Sequence, residues 1–311
     1  MPSCQPLLQK PDVDDIRSTG IASYVLSSFL SCTAILLNIA TIHGIRKTSS
    51  LSNTLKIFLL SLAVSDVCVG LVVQPFFISI VVRVLQRNIP GCTTYRAFDV
   101  ISHVFSGASF FGVIALSVDR FLALHLHLRY QELVTHKRVV AVVISIWLFS
   151  FFIAFSILWV PNTIRFISAS LVGIVCILLT KIAYCKIYLT VKRHKNHIQS
   201  SKVRETPEEQ FQRVGEMTHF VSLVKTAVGV FCVYLVFLMC HLPFVAYIVF
   251  IAISRPTIAL KRLNFIASIF VFLNSSLNPV VYCWKMRHIR SAIINVLRSI
   301  TTSNRTSVAD P

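Results

Sequence analysis

The chain has 311 residues, of which 55% are apolar and only 14% charged. Its mean hydropathy is +0.74; an ordinary soluble domain carries about a quarter charged residues, so that class is excluded. The net charge of +18 invites a nucleic-acid reading, but the basic residues punctuate the junctions between apolar runs and form no single patch, so nucleic acid is excluded as a partner.

A hydrocarbon core about 30 Å thick needs roughly 20 apolar residues per helical span. Seven runs meet that length, at 21–45, 55–82, 94–123, 138–160, 164–190, 218–252 and 261–283. They are too long and too uniformly apolar for the short alternating strands of a membrane β-barrel. The fold class is therefore an all-α membrane protein, a seven-transmembrane helix bundle. Its parts are an N-terminal segment at 1–19, the bundle at 20–284, an amphipathic surface helix at 285–298 and a tail at 299–311.

The first 19 residues are polar, with Asp12, Asp14 and Asp15, and show no basic-then-apolar leader. The first span itself is expected to direct insertion. With the N-terminus outside, Arg46, Lys47, Lys56, Arg129, Lys137, Arg138 and the basic residues of 186–225 and 285–305 fall on the inner side. Fewer fall outside: Lys10, Arg17, Arg83, Arg87, Arg96, Arg165, Arg255, Lys261 and Arg262. That bias favours an outer N-terminus in the plasma membrane.

Six short signatures sit in separate runs, and the fifth run holds Lys181, which matches none of them. The first has Asn38, the second Asp66, and the third closes on Asp119-Arg120-Phe121. The fourth has Trp147, the sixth Cys240-His241-Leu242-Pro243, and the seventh closes on Asn278-Pro279-Val280-Val281-Tyr282. Ionisable and helix-breaking residues inside a bilayer usually face the bundle interior and do a job. A carboxylate beside an arginine at the membrane edge can hold the guanidinium by a charge-assisted hydrogen bond. Proline removes a backbone donor and loosens a helix locally.

Of nine cysteines, seven lie within or at the inner ends of runs, where cysteine behaves as a small apolar residue. Only Cys4 and Cys92 lie in outer, oxidising segments, and a disulfide between them is an expectation. The connection at 193–217 is polar and is expected to extend the fifth and sixth helices past the membrane. From Lys285 to Arg298, Ile289, Ile293, Ile294 and Leu297 form one stripe that suits a helix lying on the lipid of the inner leaflet. No Gly-rich phosphate loop, nucleophile elbow or His-Glu-x-x-His motif is present, so the chain is read as no enzyme. Repeated halves, which a transporter would have, are missing too.

Together these residues resemble the rhodopsin-like family of G-protein-coupled receptors, over nearly the whole chain. The resemblance implies that an outer small molecule or short peptide activates a heterotrimeric G protein as the sixth helix opens. It implies an activation switch of Asp119, Arg120, Phe121, Tyr184, Phe237, Cys240, Pro243, Pro279 and Tyr282, with Tyr282 swinging inward to meet Tyr184. It implies an allosteric sodium ion among Asp66, Ser109, Asn274, Ser275 and Asn278; no other cofactor is expected. The Ser/Thr-rich tail suits arrestin. A ligand-uncoupled or constitutively active receptor is the alternative.

Asp99 is the only acid near the outer mouth of the bundle. With Ser102, His103, Ser106, Phe76, Tyr247 and His241 it outlines a candidate ligand pocket. A mere ion pair with Arg96 or Lys261 is the other reading of Asp99. His241 stands where the family usually has Trp; it either titrates near neutral pH or stays neutral, bonded to Asn274 or water. Other departures are Phe121 for Tyr, Tyr95 for the usual bridging Cys, and Cys176 for the proline of the fifth span. A short second outer loop, a missing bridge and a missing proline are shared with melanocortin-, cannabinoid- and lysolipid-type receptors, while Tyr130 to Arg138 resembles the second inner loop of adenosine and amine receptors.

Overall fold

The computed structural model describes residues 12–48, 51–126, 129–160, 207–253 and 257–285, with a few isolated positions besides. The first span is α1, Asp12–Lys47. The second is α2, Asn53–Cys68, a π-helical segment Val69–Val73, and α3, Gln74–Leu85. The third is α4, Cys92–Leu126, followed by the short α5, Tyr130–Leu133. The fourth is α6, His136–Ser156, the sixth α7, Pro207–Ile253, and the seventh α8, Ile258–Lys285. Among the described residues, six helices are thus long and apolar enough to cross a membrane, and no strand occurs. The fifth run, 164–190, and the surface helix, 285–298, lie largely outside the described residues.

Helix α1 begins well before the apolar run that announced it: residues 12–19, read as part of a separate N-terminal segment, are its first turns. Three acids in that turn complement the positive end of the helix dipole. Val13 and Ile16, three residues apart, share one face and are buried. Helix α7 starts at Pro207, ahead of the apolar run at 218–252.

Among the described residues, two large apolar clusters hold the bundle. The outer one joins Val13, Ile16 and Leu30 to Val73, Phe77, Phe265 and Phe272. The inner one joins Ile45, Leu59, Leu62 and Leu116 to Val233, Phe237 and Tyr282. On the first, second, third and seventh spans the sequence passes from one cluster to the other through a polar residue: Asn38, Asp66, Ser109 and Asn274 to Asn278. A polar layer therefore crosses the middle of the bundle. Residues turned away from both clusters are apolar and exposed, as lipid contact demands: Phe29, Leu36, Leu148, Phe152 and Met239.

The first and second spans touch backbone to backbone. Ser31 Oγ donates to the Gly70 carbonyl at 2.8 Å. A Cβ on Gly70 would lie 2.8 Å from Ile35 Cγ1 and 3.2 Å from the Ser31 carbonyl oxygen. Gly70 lies inside the π-helical segment, a local widening often found at functional sites.

Candidate functional site

At the inner end of the third span, Asp119 and Arg120 are both buried. Arg120 Nε donates to Asp119 Oδ2 at 2.9 Å, and one terminal nitrogen donates to the same oxygen. The other carboxylate oxygen, Oδ1, accepts from the Tyr130 hydroxyl at 2.7 Å. Tyr130 in turn lies 3.0 Å from Thr54 Oγ1 of the second span. The carboxylate thus has a partner on each oxygen, and the guanidinium is held against its own helix. Burial pushes the Tyr130 hydroxyl up to about 12, helped by the Asp119 charge, so it stays a donor. The sequence singled out the pair but missed Thr54 and Tyr130 as its fastening; the signal was the loop after the third span, where Tyr130 follows Asp119 by eleven residues.

Phe121, where the family usually has Tyr, stacks on His125 with ring centroids 5.4 Å apart. It packs beside Leu124 of its own helix and Ala227 of the sixth span. The missing hydroxyl is therefore replaced by an apolar contact with the helix expected to move.

In the polar layer, Asn278 Nδ2 donates to Asp66 Oδ2 at 2.8 Å. Asn38 Nδ2 donates to the Ser275 carbonyl at 2.9 Å and ties the first span to the seventh. Ser109 Oγ lies 2.9 Å from Ser65 Oγ, beside Asp66. The Oδ1 atoms of Asn38, Asp66, Asn274 and Asn278 are buried without a hydrogen-bond partner among the described residues. Buried oxygens of that kind, one of them a carboxylate, are the donors a small hard cation needs. Among the described residues no group of three or more His, Cys, Asp or Glu is arranged to hold a metal ion. Tyr282, one turn inward, is fully buried in the inner cluster with its hydroxyl equally unpartnered. Its expected counterpart, Tyr184, lies outside the described residues.

In the sixth span, Phe237 and His241 stack with centroids 3.9 Å apart and an interplanar angle of 16°. Phe237 also packs against Phe110 of the third span at 5.7 Å. His241 Nδ1 lies 2.8 Å from the Phe237 carbonyl. Of the two partners expected of a neutral His241, Asn274 or water, Asn274 is not engaged; the ring turns back along its own helix, toward a carbonyl one turn away. Cys240 is buried, and Pro243 lies inside the continuous helix α7. Pro279 is likewise inside α8.

The outer mouth is less tightly assembled. His103 Nδ1 lies 2.7 Å from the Asp99 carbonyl, and both residues are exposed. Tyr247 of the sixth span lies beside Phe244, ring centroids 6.1 Å apart, and the third and sixth spans pack against each other. Ser102 Oγ is buried without a partner among the described residues, and Ser106 is half-buried. Phe76 is engaged edge-on by Phe98 at 5.7 Å and belongs to the outer cluster. Lys261 does not pair with Asp99: its Nζ donates to Asp12 Oδ2 at 2.6 Å. The outer extension of α1, invisible as a helix in the sequence, brings Asp12 there first. Cys92 is disulfide-bonded; its expected partner, Cys4, lies outside the described residues. Trp147 Nε1 donates to Ser61 Oγ at 3.1 Å and stands edge-on to Phe105 at 6.1 Å, joining the second, third and fourth spans.

The family profile described as 7 transmembrane receptor (rhodopsin family) matches residues 37–166 and 155–282. Relatives include an adenosine receptor A2b of Gallus gallus, 26% identical over 89% of this chain and 88% of that receptor. An adenosine receptor A2a of Homo sapiens is 24% identical over 87% of this chain and 70% of its own length. An adenosine receptor A3 of Ovis aries is 23% identical over 94% and 95%. The chain belongs to the rhodopsin family of seven-transmembrane receptors, and is a multi-pass membrane protein and G-protein-coupled receptor, not an enzyme.

Proposed function

We propose that this receptor converts binding of an outer small molecule or short peptide into heterotrimeric G-protein activation by opening the sixth span about Pro243. The observation that carries the reading is the closed latch at the inner end, Arg120 on Asp119 with Tyr130 and Thr54 behind it. A buried ion pair with one hydroxyl partner, itself backed by a second hydroxyl, has a closed and a released arrangement, and a ligand shifts the balance only by binding one of them better.

The ligand surface is the corner between the third and sixth spans, where Asp99, Ser102, Ser106, His241 and Tyr247 supply one acid and several uncharged polar groups. With relatives named as adenosine receptors, a nucleoside-like molecule is the first class to try. Asp66, Ser109, Asn274, Ser275 and Asn278 would hold a sodium ion in the polar layer. The ion would supply positive charge to the buried carboxylate of Asp66. Asn38 and Asn278 keep the first, second and seventh spans in register around it.

In this reading the N-terminus is outside the plasma membrane, 164–190 is the remaining span, and 285–298 lies on the inner leaflet as an amphipathic helix. Ser and Thr residues of 299–311 offer arrestin a phosphorylatable tail, and Cys4 is the partner of Cys92. A receptor active without ligand is the runner-up, favoured by Phe121 and His241 at switch positions. A ligand-library screen through a promiscuous G protein tests the reading, with Arg120→Ala as control. A ligand-dependent response that Arg120→Ala abolishes is expected. High basal output, unmoved by any ligand but lost in Arg120→Ala, would favour the runner-up. No output above an empty membrane, with the protein at the cell surface, would overturn both.

A further inference from the structure

Three acids at a helix N-terminus have an ordinary explanation in the helix dipole, which leaves their carboxylates in water. Here residues 12–16 do more. Asp12 Oδ2 accepts from Lys261 Nζ at 2.6 Å, across 249 positions of sequence. Both oxygens of Asp14 accept from Arg87 at 2.7 Å. The Asp15 carbonyl accepts from Arg262 Nη2 at 2.6 Å and from its Nε at 3.2 Å. Between these polar contacts, Val13 and Ile16 turn into the outer apolar cluster and are 2% and 0% exposed. One short piece of helix thus binds the outer ends of both the second and the seventh spans.

The two ion pairs are not equivalent. The side chains of Asp14 and Arg87 are 62% and 60% exposed, those of Asp12 and Lys261 only 15% and 8%. Exposed pairs contribute little. A sheltered pair is a different object, because removing one partner strands the other charge where water is scarce. Lys261 is therefore either held by Asp12 or forced to move outward. The seventh span that Lys261 opens also carries Asn278, Pro279 and Tyr282. Further in, it is held to the first span by neutral hydrogen bonds: Thr33 with Ser276 at 3.0 Å and Asn38 with the Ser275 carbonyl at 2.9 Å. The Asp12 bond lies beyond these, next to the Arg262 bonds to the Asp15 carbonyl, and it coexists with the closed Asp119–Arg120 latch.

We propose that Asp12 and Lys261 form a regulatory clasp: an outer restraint on the seventh span that favours the resting receptor and releases that span when broken. The inference rests on the receptor reading for its consequence, but not for its structural part. The clasp needs no ligand; it sets how much ligand-binding energy is required to leave the resting state.

The test uses the full chain in membranes, with surface level measured for every variant. Two readouts are taken: amide hydrogen exchange over residues 258–265, and basal G-protein output. Asp12→Asn and Lys261→Met should each speed exchange there and raise basal output on the order of fivefold, a usual size for coupling between sites. The double exchange Asp12→Lys with Lys261→Asp should bring both readouts back toward the parent. Asp14→Asn, at the exposed pair, should leave both nearly unchanged. Exchange that stays slow in both single variants would overturn the clasp. So would a double exchange that restores neither readout. Fast exchange with unchanged basal output, in cells where the parent responds, would leave a structural contact and overturn the regulatory role. Silence of every variant in G-protein output, with exchange behaving as expected, would overturn the receptor reading and the regulatory role, and retain the contact alone.

Discussion

Tyr130 donates its hydroxyl to Asp119 Oδ1 at 2.7 Å, on the oxygen that Arg120 leaves open. The carboxylate is thus shared between a cation on its own helix and a phenol from the loop beyond it. Tyr130→Phe removes a hydrogen bond to a charged acceptor, worth about 1.5–3 kcal/mol. Basal G-protein output should rise by roughly tenfold, since about 1.4 kcal/mol is a factor of ten. Thr54→Val should raise it less, because it removes only support for Tyr130. Unchanged output in Tyr130→Phe at equal surface level would show that the latch does not depend on the loop.

The same hydroxyl gives a prediction about pH. Its folded value is raised, from 10.0 to about 12, by burial first and the Asp119 charge second. Its contribution to stability is then fully present below the unfolded value and is lost only as pH rises through the folded one. The difference in thermal stability between parent and Tyr130→Phe should therefore be flat from about pH 6 to 8, well below either value. A difference that shrinks across that interval would mean another group sets the latch.

Asp66→Asn should abolish any sodium dependence of agonist affinity. It keeps the shape of the Asn278 contact at 2.8 Å while removing the charge that attracts a cation. Agonist titrations with sodium replaced by a large organic cation measure it. Salt sensitivity that survives in Asp66→Asn would place the ion elsewhere.

Gly70→Val should destabilise the first-to-second span contact. Its Cβ meets Ile35 Cγ1 at 2.8 Å and the Ser31 backbone oxygen at 3.2 Å, and the backbone has no room to yield. Overpacking of this kind costs about 1–3 kcal/mol, enough to lower the melting temperature in detergent by several degrees. Gly91→Ala, whose Cβ would have only Thr93 Oγ1 at 4.0 Å nearby, is the neutral comparison.

Trp147→Phe loses the donor to Ser61 and keeps most of the ring packed on Phe105. A loss of about 1 kcal/mol is expected from one hydrogen bond, readable as a modest fall in melting temperature. Adding Ser61→Ala should cost little more, because the two changes remove the same bond. Additive losses would mean that Trp147 and Ser61 act separately.

Much of this receptor is written locally. Length and polarity of the apolar runs mark where the chain crosses oil, because about 20 residues of helix and a hydrocarbon core have the same thickness. The costly residues announce themselves for the same reason: Asn38, Asp66, Arg120 and Asn278 would not persist facing lipid, and each is buried in the bundle. What local pattern does not contain is who meets whom. Lys261 pairs with Asp12 and not with Asp99, because the first helix begins outside the apolar run and reaches over the seventh. His241 turns to the Phe237 carbonyl and not to Asn274. Tyr130 completes the latch only because the loop after the third span folds back under the second. Each partnership is decided by how helices lean on one another, and that lean comes from side-chain packing across the bundle, a sum over contacts that no single stretch of chain encodes.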